Sequence, residues 1–431
     1  MTSKSLLALA VAGTLAAGFG GVAAPAGATT VKVSPADVEI PATPAGQQLR
    51  WMLDAVARAP VPENEIKEHV AAAFLASVPP AQFNKTFQAL KGLTLTSVES
   101  AAPTALTADG TAAGREVHIV LVVDGDGKLS TLMFPDTPPK SWKELDGQLA
   151  KTAPQYSFLA AEIKDRRCRP VHDAGSQKAR PLGSMFKLYV LGAVAGQIRE
   201  GKYTWDTQLT ITPELKSLGG ELSGRPDGSK VSVYEAAKLM ISISDNTGTD
   251  LLIGKAGRKA VEKTLRTWRG PRQGNVPFLT TRELFVLKGA GYPQHADAYK
   301  RLGTEAKRAY LRDTVAEVPL STIKPWDKPR ELETLEWFAS PAEICRAHAE
   351  LRRFPDPKVG QVMSANPGGL AEGTWFKGGS EAGLHNLSHS YRAGKKVFFI
   401  TAMRTNPSAP FPSTADFDAI SLAQGAVKLL K

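Results

Sequence analysis

The sequence predicts an α+β fold in two domains, because helical and strand patterns occupy separate stretches and 431 residues exceed what one hydrophobic core usually holds. Residues 46–90 carry apolar side chains at helical spacing: Leu49, Leu53 and Val56, then Ile66, Val70 and Phe74, then Phe83, Phe87 and Leu90. Pro60 and the pair Pro79-Pro80 divide that stretch into three short helices. From Leu93 the pattern turns to strands. Residues 117–123 lead into Asp124-Gly125-Asp126-Gly127 and then 129–134, which reads as a hairpin with Asp-Gly turn chemistry.

These elements make residues 29–140 a small α+β domain without a cluster of catalytic residue types, suited to binding, spacing or assisting its neighbour. Residues 135–140, with three prolines in six positions, read as a linker. The second domain is expected to span 145–431. There, residues 158–163 and 168–172 can pair as strands, and 188–198 form a helix ending at Gly201. Ser232-Val233-Tyr234-Glu235 is a capping box ahead of an apolar-periodic run. Residues 387–391 and 397–403 read as strands, and a final helix covers 417–430.

At 42% apolar and 22% charged, the composition is that of a soluble globular protein, with no bilayer-length apolar run beyond the N-terminus. Lys4, the apolar residues 6–22 and Ala26-Gly27-Ala28 form a signal-peptide pattern over 1–28, so a secreted protein beginning near Thr29 is expected. An uncleaved anchor is the alternative; no cysteine follows the apolar stretch to carry a lipid. Export makes Cys168 and Cys345 candidates for a disulfide, with two buried thiols the other possibility. Two cysteines without a C-x-x-C pair argue against zinc, and no metal or cofactor is expected. The net charge of +11 is spread without basic runs, which argues against a nucleic-acid partner and leaves a small-molecule substrate and a monomer as expectations.

Three segments carry residues suited to acyl chemistry. In Ser184-Met185-Phe186-Lys187, residues three apart on a helix share a face about 4.5 Å apart along the axis, so Lys187 can reach the Ser184 hydroxyl. A serine needs a base to become nucleophilic, and a lysine serves if burial and a nearby cation lower its pKa. Taken alone, a Ser-x-x-Lys pair is more often an exposed helix lysine. Ser244-Asp245-Asn246 falls at an interruption between helices, where a plain Asx cap accounts for Asp245. Lys377-Gly378-Gly379-Ser380 follows Trp375-Phe376 where a strand begins; its glycines let a substrate approach the backbone, and its ammonium can hold a carboxylate.

Together and in this order, the three segments resemble the Ser-x-x-Lys, Ser-Asp-Asn and Lys-Thr-Gly motifs of class A serine β-lactamases and penicillin-binding DD-peptidases. The 60 residues between Ser184 and Ser244 suit that family, whereas the 133 between Ser244 and Lys377 imply an insertion. The resemblance covers residues 145–431 and implies an antiparallel sheet flanked by helices, with an all-helical lobe. The two-domain layout is similar to a subgroup of actinobacterial exported proteins. These include the β-lactamase-like protein of the clavulanic acid cluster and certain mycobacterial lipoproteins, which place a small cyclase-like α+β domain ahead of a β-lactamase-type domain.

The resemblance implies acylation at Ser184, with Lys187 as base and Ser244 relaying a proton to the leaving nitrogen. Asn246 would bond the substrate or Lys187, and Lys377 would steer a substrate carboxylate. Gly379 belongs to the substrate-binding edge, and the N–H groups of Ser184 and Ser380 would form the oxyanion hole. Two departures stand out: Gly378 replaces the usual hydroxyl residue, and no glutamate matches the one that activates the deacylating water. Glu317, in Glu317-Val318-Pro319-Leu320-Ser321, matches in part, and Glu331, Glu333 and Glu336 lie nearby. The expected function is therefore an exported serine hydrolase acylated by a β-lactam or related amide or ester, with slow deacylation. A DD-carboxypeptidase or esterase is the alternative, as is a non-catalytic binding protein that uses its N-terminal domain. No Gly-x-Ser-x-Gly elbow is present, which disfavours a Ser-His-Asp hydrolase; His172, His385, Trp326, Trp337 and Trp375 read as packing residues.

Overall fold

The computed structural model describes residues 38–431 except 77, 136, 272, 273, 413 and 414. The expected signal segment, 1–28, lies outside the described residues. Among the described residues, no helix is long and apolar enough to cross a membrane. The chain divides into two units: one of residues up to Pro139 with Gly369–Glu372 and Pro412–Gly425, the other of Lys140–Gly368, Gly373–Phe411 and Ala426–Lys431. Where the second domain was expected to run unbroken over 145–431, this division assigns two short segments of it to the first unit.

The first unit opens with α1 (Pro44–Arg58), α2 (Glu63–His69), α3 (Ala72–Leu75) and α4 (Pro80–Ala89). Proline suits the first position of α1 and α4 because its missing N–H would have no partner there. Three helices were expected, but Val70 is extended (φ −115°, ψ 134°) and bridges to Leu129, which splits the middle one. A four-stranded antiparallel sheet follows in chain order: β1 (Thr94–Ala101), β2 (Ala105–Ala112), β3 (Arg115–Val123) and β4 (Leu129–Met133). The expected β3–β4 hairpin is present, and Asp124 Oδ1 accepts from the backbone N–H of Asp126 and Lys128 at 3.0 and 2.9 Å. Leu49, Met52, Ile66, Phe83 and Phe87 of the helices pack with Ile119, Leu121 and Leu129 of the sheet.

The second unit begins with α5 (Trp142–Thr152), β5 (Gln155–Lys164), β6 (Arg167–Ala174) and β7 (Arg180–Pro181). Then come α6 (Lys187–Arg199), β8 (Gln208–Thr210), β9 (Lys230–Ser232), α7 (Val233–Ser242), α8 (Asn246–Ala256), α9 (Arg258–Thr267), α10 (Thr281–Gly289), α11 (Gln294–Lys300) and α12 (Thr304–Tyr310). It continues with β10 (Phe338–Ala339), α13 (Pro341–Leu351), α14 (Pro357–Met363), β11 (Trp375–Glu381), β12 (Leu384–Ala393) and β13 (Lys396–Thr405); the last helix, α15 (Ala415–Leu429), is assigned to the first unit as far as Gly425. Its main sheet is antiparallel in the order β11-β12-β13-β5-β6, and the chain between β6 and β11 is largely helical. The α+β expectation therefore holds.

Ser232 accepts from the Glu235 N–H at 3.1 Å, but the Glu235 carboxylate bonds Arg225 at 2.7 Å instead of closing the expected box. Complete capping boxes form at Thr280 with Glu283 and at Ser340 with Glu343. Helix α6 is the hub of this unit: residues Lys187 to Ala195 are all buried, as in a helix enclosed on every side. A side chain at Gly192 would collide with the Trp268 ring, so glycine there lets the α9 end close over α6. Cys168 of β6 and Cys345 of α13 are disulfide-bonded with their Cα atoms 6.3 Å apart, which decides the alternative the sequence left open.

Because that bond closes a loop of 177 residues, converting both cysteines to alanine is expected to cost about 2–5 kcal/mol. Guanidinium unfolding of the double variant should show a lower midpoint, and an unchanged midpoint would contradict this.

Candidate active site

Ser184 lies in a 3-10 turn, Gly183–Phe186, that runs directly into α6. The turn is held at both ends: the Leu182 N–H donates to the Trp337 carbonyl at 2.7 Å, and the Phe186 ring stacks on Trp337 with centroids 3.6 Å apart. Gly183 takes a left-handed φ of +50°, which costs glycine little. Strand β11 presses against this turn at Gly379, where a Cβ would collide with the Leu182 carbonyl and sit 2.8 Å from the Ser184 nitrogen. From the other side, a Cβ on Gly183 would lie 3.1 Å from the Ser380 nitrogen. Two glycines thus make the backbones of Ser184 and Ser380 neighbours, the arrangement an oxyanion hole needs.

Lys187, the first residue of α6, is completely buried. Its amine donates to the Ser244 carbonyl at 2.7 Å, to Ser244 Oγ at 3.0 Å and to Asn246 Oδ1 at 2.7 Å. The sequence spacing suggested a bond to Ser184; the bonds formed run to the Ser-Asp-Asn segment, because the loop between α7 and α8 folds over the amine. Ser244 holds a left-handed φ of +62°, uncommon for a residue with a side chain and of the kind that collects at functional sites. Asp245 caps α8 by accepting from the Gly248 N–H at 2.7 Å and also takes the Leu222 N–H at 2.8 Å. It is the structural residue of the three. Asn246 anchors the loop by donating to the Leu218 carbonyl at 2.6 Å.

Lys377 reaches the same hydroxyl from β11. Its amine donates to Ser244 Oγ at 3.1 Å and to the Gly378 carbonyl at 2.9 Å. Burial lowers its pKa from 10.5 to about 7. Burial, and then the Lys377 charge, push Lys187 well below the usual amine range; Asp250 and Asp245 act in the opposite sense. The structure therefore brings Ser184, Lys187, Ser244, Asn246, Lys377, Gly379 and Ser380 to one place. A neutral Lys187 has a lone pair for a serine proton, and an anion arriving at Lys377 would favour its protonated form.

Of the four glutamates that could activate a water, only Glu336 lies at the Ser184 turn, where it accepts the Gly183 N–H at 3.2 Å, and each of the other three is exposed or engaged with another partner. Glu317 is exposed, Glu331 pairs with Lys300 at 2.8 Å, Glu333 accepts from Gln155 at 3.3 Å, and Glu336 pairs with Lys288 at 2.8 Å. His172 stacks on Trp142 and bonds Asp146 at 2.9 Å, and Trp375 lies under the Arg352 guanidinium at 4.1 Å, so both are packing residues. Trp337, read from sequence as packing only, also supports the Ser184 turn. Lys288 and Glu336 at that turn carry no local sequence signal, since they meet across 48 residues. Among the described residues, no group of three or more His, Cys, Asp or Glu side chains is placed to hold a metal ion.

Residues 140–283, which include Ser184, Lys187, Ser244 and Asn246, match the beta-lactamase enzyme family. Residues 40–129 match the family described as the ORF 12 gene product N-terminal. The resemblance to the serine β-lactamase and DD-peptidase superfamily read from the motifs therefore holds for the first of these segments. Solved structures similar to this chain include PBP-A, at 16% identity over 68% of this chain and 99% of that one, with a TM-score of 0.45. A beta-lactamase from Sphaerobacter thermophilus matches at 15% identity, 67% and 97% coverage and a TM-score of 0.46. A class A beta-lactamase from Mycobacterium abscessus matches at 12% identity, 67% and 98% coverage and a TM-score of 0.46. A comparison with curated proteins found no match.

The depressed pKa of Lys377 has a signature in stability. Between about 7 and its ordinary value of 10.5, the unfolded chain holds a proton that the folded protein lacks, so stability rises with pH in that window. Urea unfolding at pH 7 and pH 9 should show a larger gain for the wild type than for Lys377→Met. Equal gains would contradict a buried, neutralised Lys377.

Proposed function

We propose that the second unit is an exported serine hydrolase acylated at Ser184 by a β-lactam or a related amide or ester. The observation that carries this reading is the Ser244 hydroxyl held between two buried lysines, Lys187 at 3.0 Å and Lys377 at 3.1 Å, beside the Ser184 turn. In the reaction, the neutral Lys187 amine takes the Ser184 proton as the Oγ–carbonyl bond forms. The developing oxyanion is met by the N–H groups of Ser184 and Ser380; losing one such donor typically costs about 3 kcal/mol in the transition state. The scissile C–N or C–O bond then breaks, and the proton passes from Lys187 through Ser244 to the leaving atom. Lys377 attracts an anionic substrate group.

The engagement of Glu331, Glu333 and Glu336 with other partners favours slow release of the acyl group. It equally supports the second reading, a DD-carboxypeptidase or esterase, in which penicillin is a poor substrate and a good acylating agent. Rapid turnover of D-alanyl-D-alanine peptides or simple esters with slow nitrocefin hydrolysis would select it, and the reverse pattern would dismiss it.

Mass spectrometry after incubation with several penicillins should detect one adduct, located at Ser184 and absent in Ser184→Ala. The wild-type acylation rate should rise with pH as Lys187 loses its proton. In Lys187→Arg it should fall about 10²–10⁴-fold, the usual contribution of a positioned base. Failure of every β-lactam and ester tested to form an adduct would overturn the hydrolase reading.

A further inference from the structure

Behind the Ser184 turn sits a second buried ammonium that the acylation chemistry does not use. Lys288, on α10, bonds Glu336 Oε1 at 2.8 Å and Glu381 Oε1 at 2.6 Å, and its side chain is 0% exposed. Each carboxylate leads to a different half of the oxyanion hole. Glu336 Oε2 accepts the Gly183 N–H at 3.2 Å, one residue before Ser184, and also the Trp337 N–H at 3.3 Å. Glu381 directly follows Ser380 on β11. The two halves belong to chain segments almost 200 residues apart, and each approaches the other at a glycine, where there is no side chain to interlock.

We infer that Lys288 is a positioning residue for acylation: by gripping Glu336 and Glu381 together it fixes the spacing between the Ser184 and Ser380 N–H groups. The inference rests on the hydrolase reading above. A buried ion group of this kind is a weak source of stability but a directional one, since each charge must keep its partners. Burial pushes the Glu381 carboxyl up to about 8 against the opposing pull of Lys288, and Glu336 alongside adds to the rise.

The test compares the full-length wild type with Lys288→Met/Glu336→Gln, which removes both charges together and so avoids stranding either, and with Glu381→Gln, which mimics the protonated acid. Two readouts are taken: amide exchange of residues 182–186, and acylation by a fluorescent penicillin resolved into half-saturating concentration and limiting rate. In the double variant, exchange at 182–186 should rise at least tenfold while β13 peptides stay protected. Its limiting acylation rate should fall at least tenfold, with half-saturation within threefold. Glu381→Gln should stay within threefold of wild type on both readouts. Unchanged exchange in a folded double variant would overturn the inference, as would faster exchange with wild-type acylation. Should the wild type itself form no adduct, the hydrolase reading falls, and exchange alone decides whether Lys288 holds the turn.

Discussion

The Lys187 amine has no exposed surface, and an ammonium in such a place costs several kcal/mol unless hydrogen bonds replace its lost water. That requirement accounts for much of the surrounding architecture. Helix α6 is apolar on every side, so it must be enclosed, and the amine at its first residue is enclosed with it. The α7–α8 loop then has to supply the acceptors. Ser244 does so from a left-handed backbone, Asp245 keeps that loop in place by capping α8, and Asn246 bonds the amine with one side-chain atom and the Leu218 carbonyl with the other. Enclosure, together with the Lys377 charge, also lowers the pKa of this amine, as a lysine that is to accept a proton requires.

A second constraint is steric and concerns backbone approach. The turn carrying Ser184 and the edge of β11 meet with no room for a side chain at Gly183 or Gly379. Backbone N–H groups can meet a developing oxyanion only when they are held at fixed spacing, and close backbone contact is a direct way to achieve it. Trp337 and the Lys288 group brace that contact from behind, so the site has an apolar support and an ionic one.

Local signals made part of this legible. The Asp124–Gly127 turn, the strand pair ahead of Ser184 and the long apolar run after Lys187 each depend on neighbours a few residues apart, and each element formed. The Ser232 cap was read correctly only in half, because Arg225, ten residues away, took the Glu235 carboxylate. The expected middle helix of the first unit broke at Val70, where a bridge to Leu129 outweighed helical propensity.

At the site the same boundary applies. The sequence by itself determined which side chains could do acyl chemistry and in what order they come: Ser184 with Lys187, then Ser244 and Asn246, then Lys377, Gly379 and Ser380. It carried those identities because a nucleophile, a base and a cation are properties of residue type. Only the tertiary structure decided that Cys168 pairs with Cys345, that the Lys187 amine bonds Ser244 and Asn246, and that Lys288, Glu336 and Glu381 meet behind the Ser184 turn. Those outcomes depend on enclosure and on partners 48 to 177 residues away, and neither quantity is written in any local pattern.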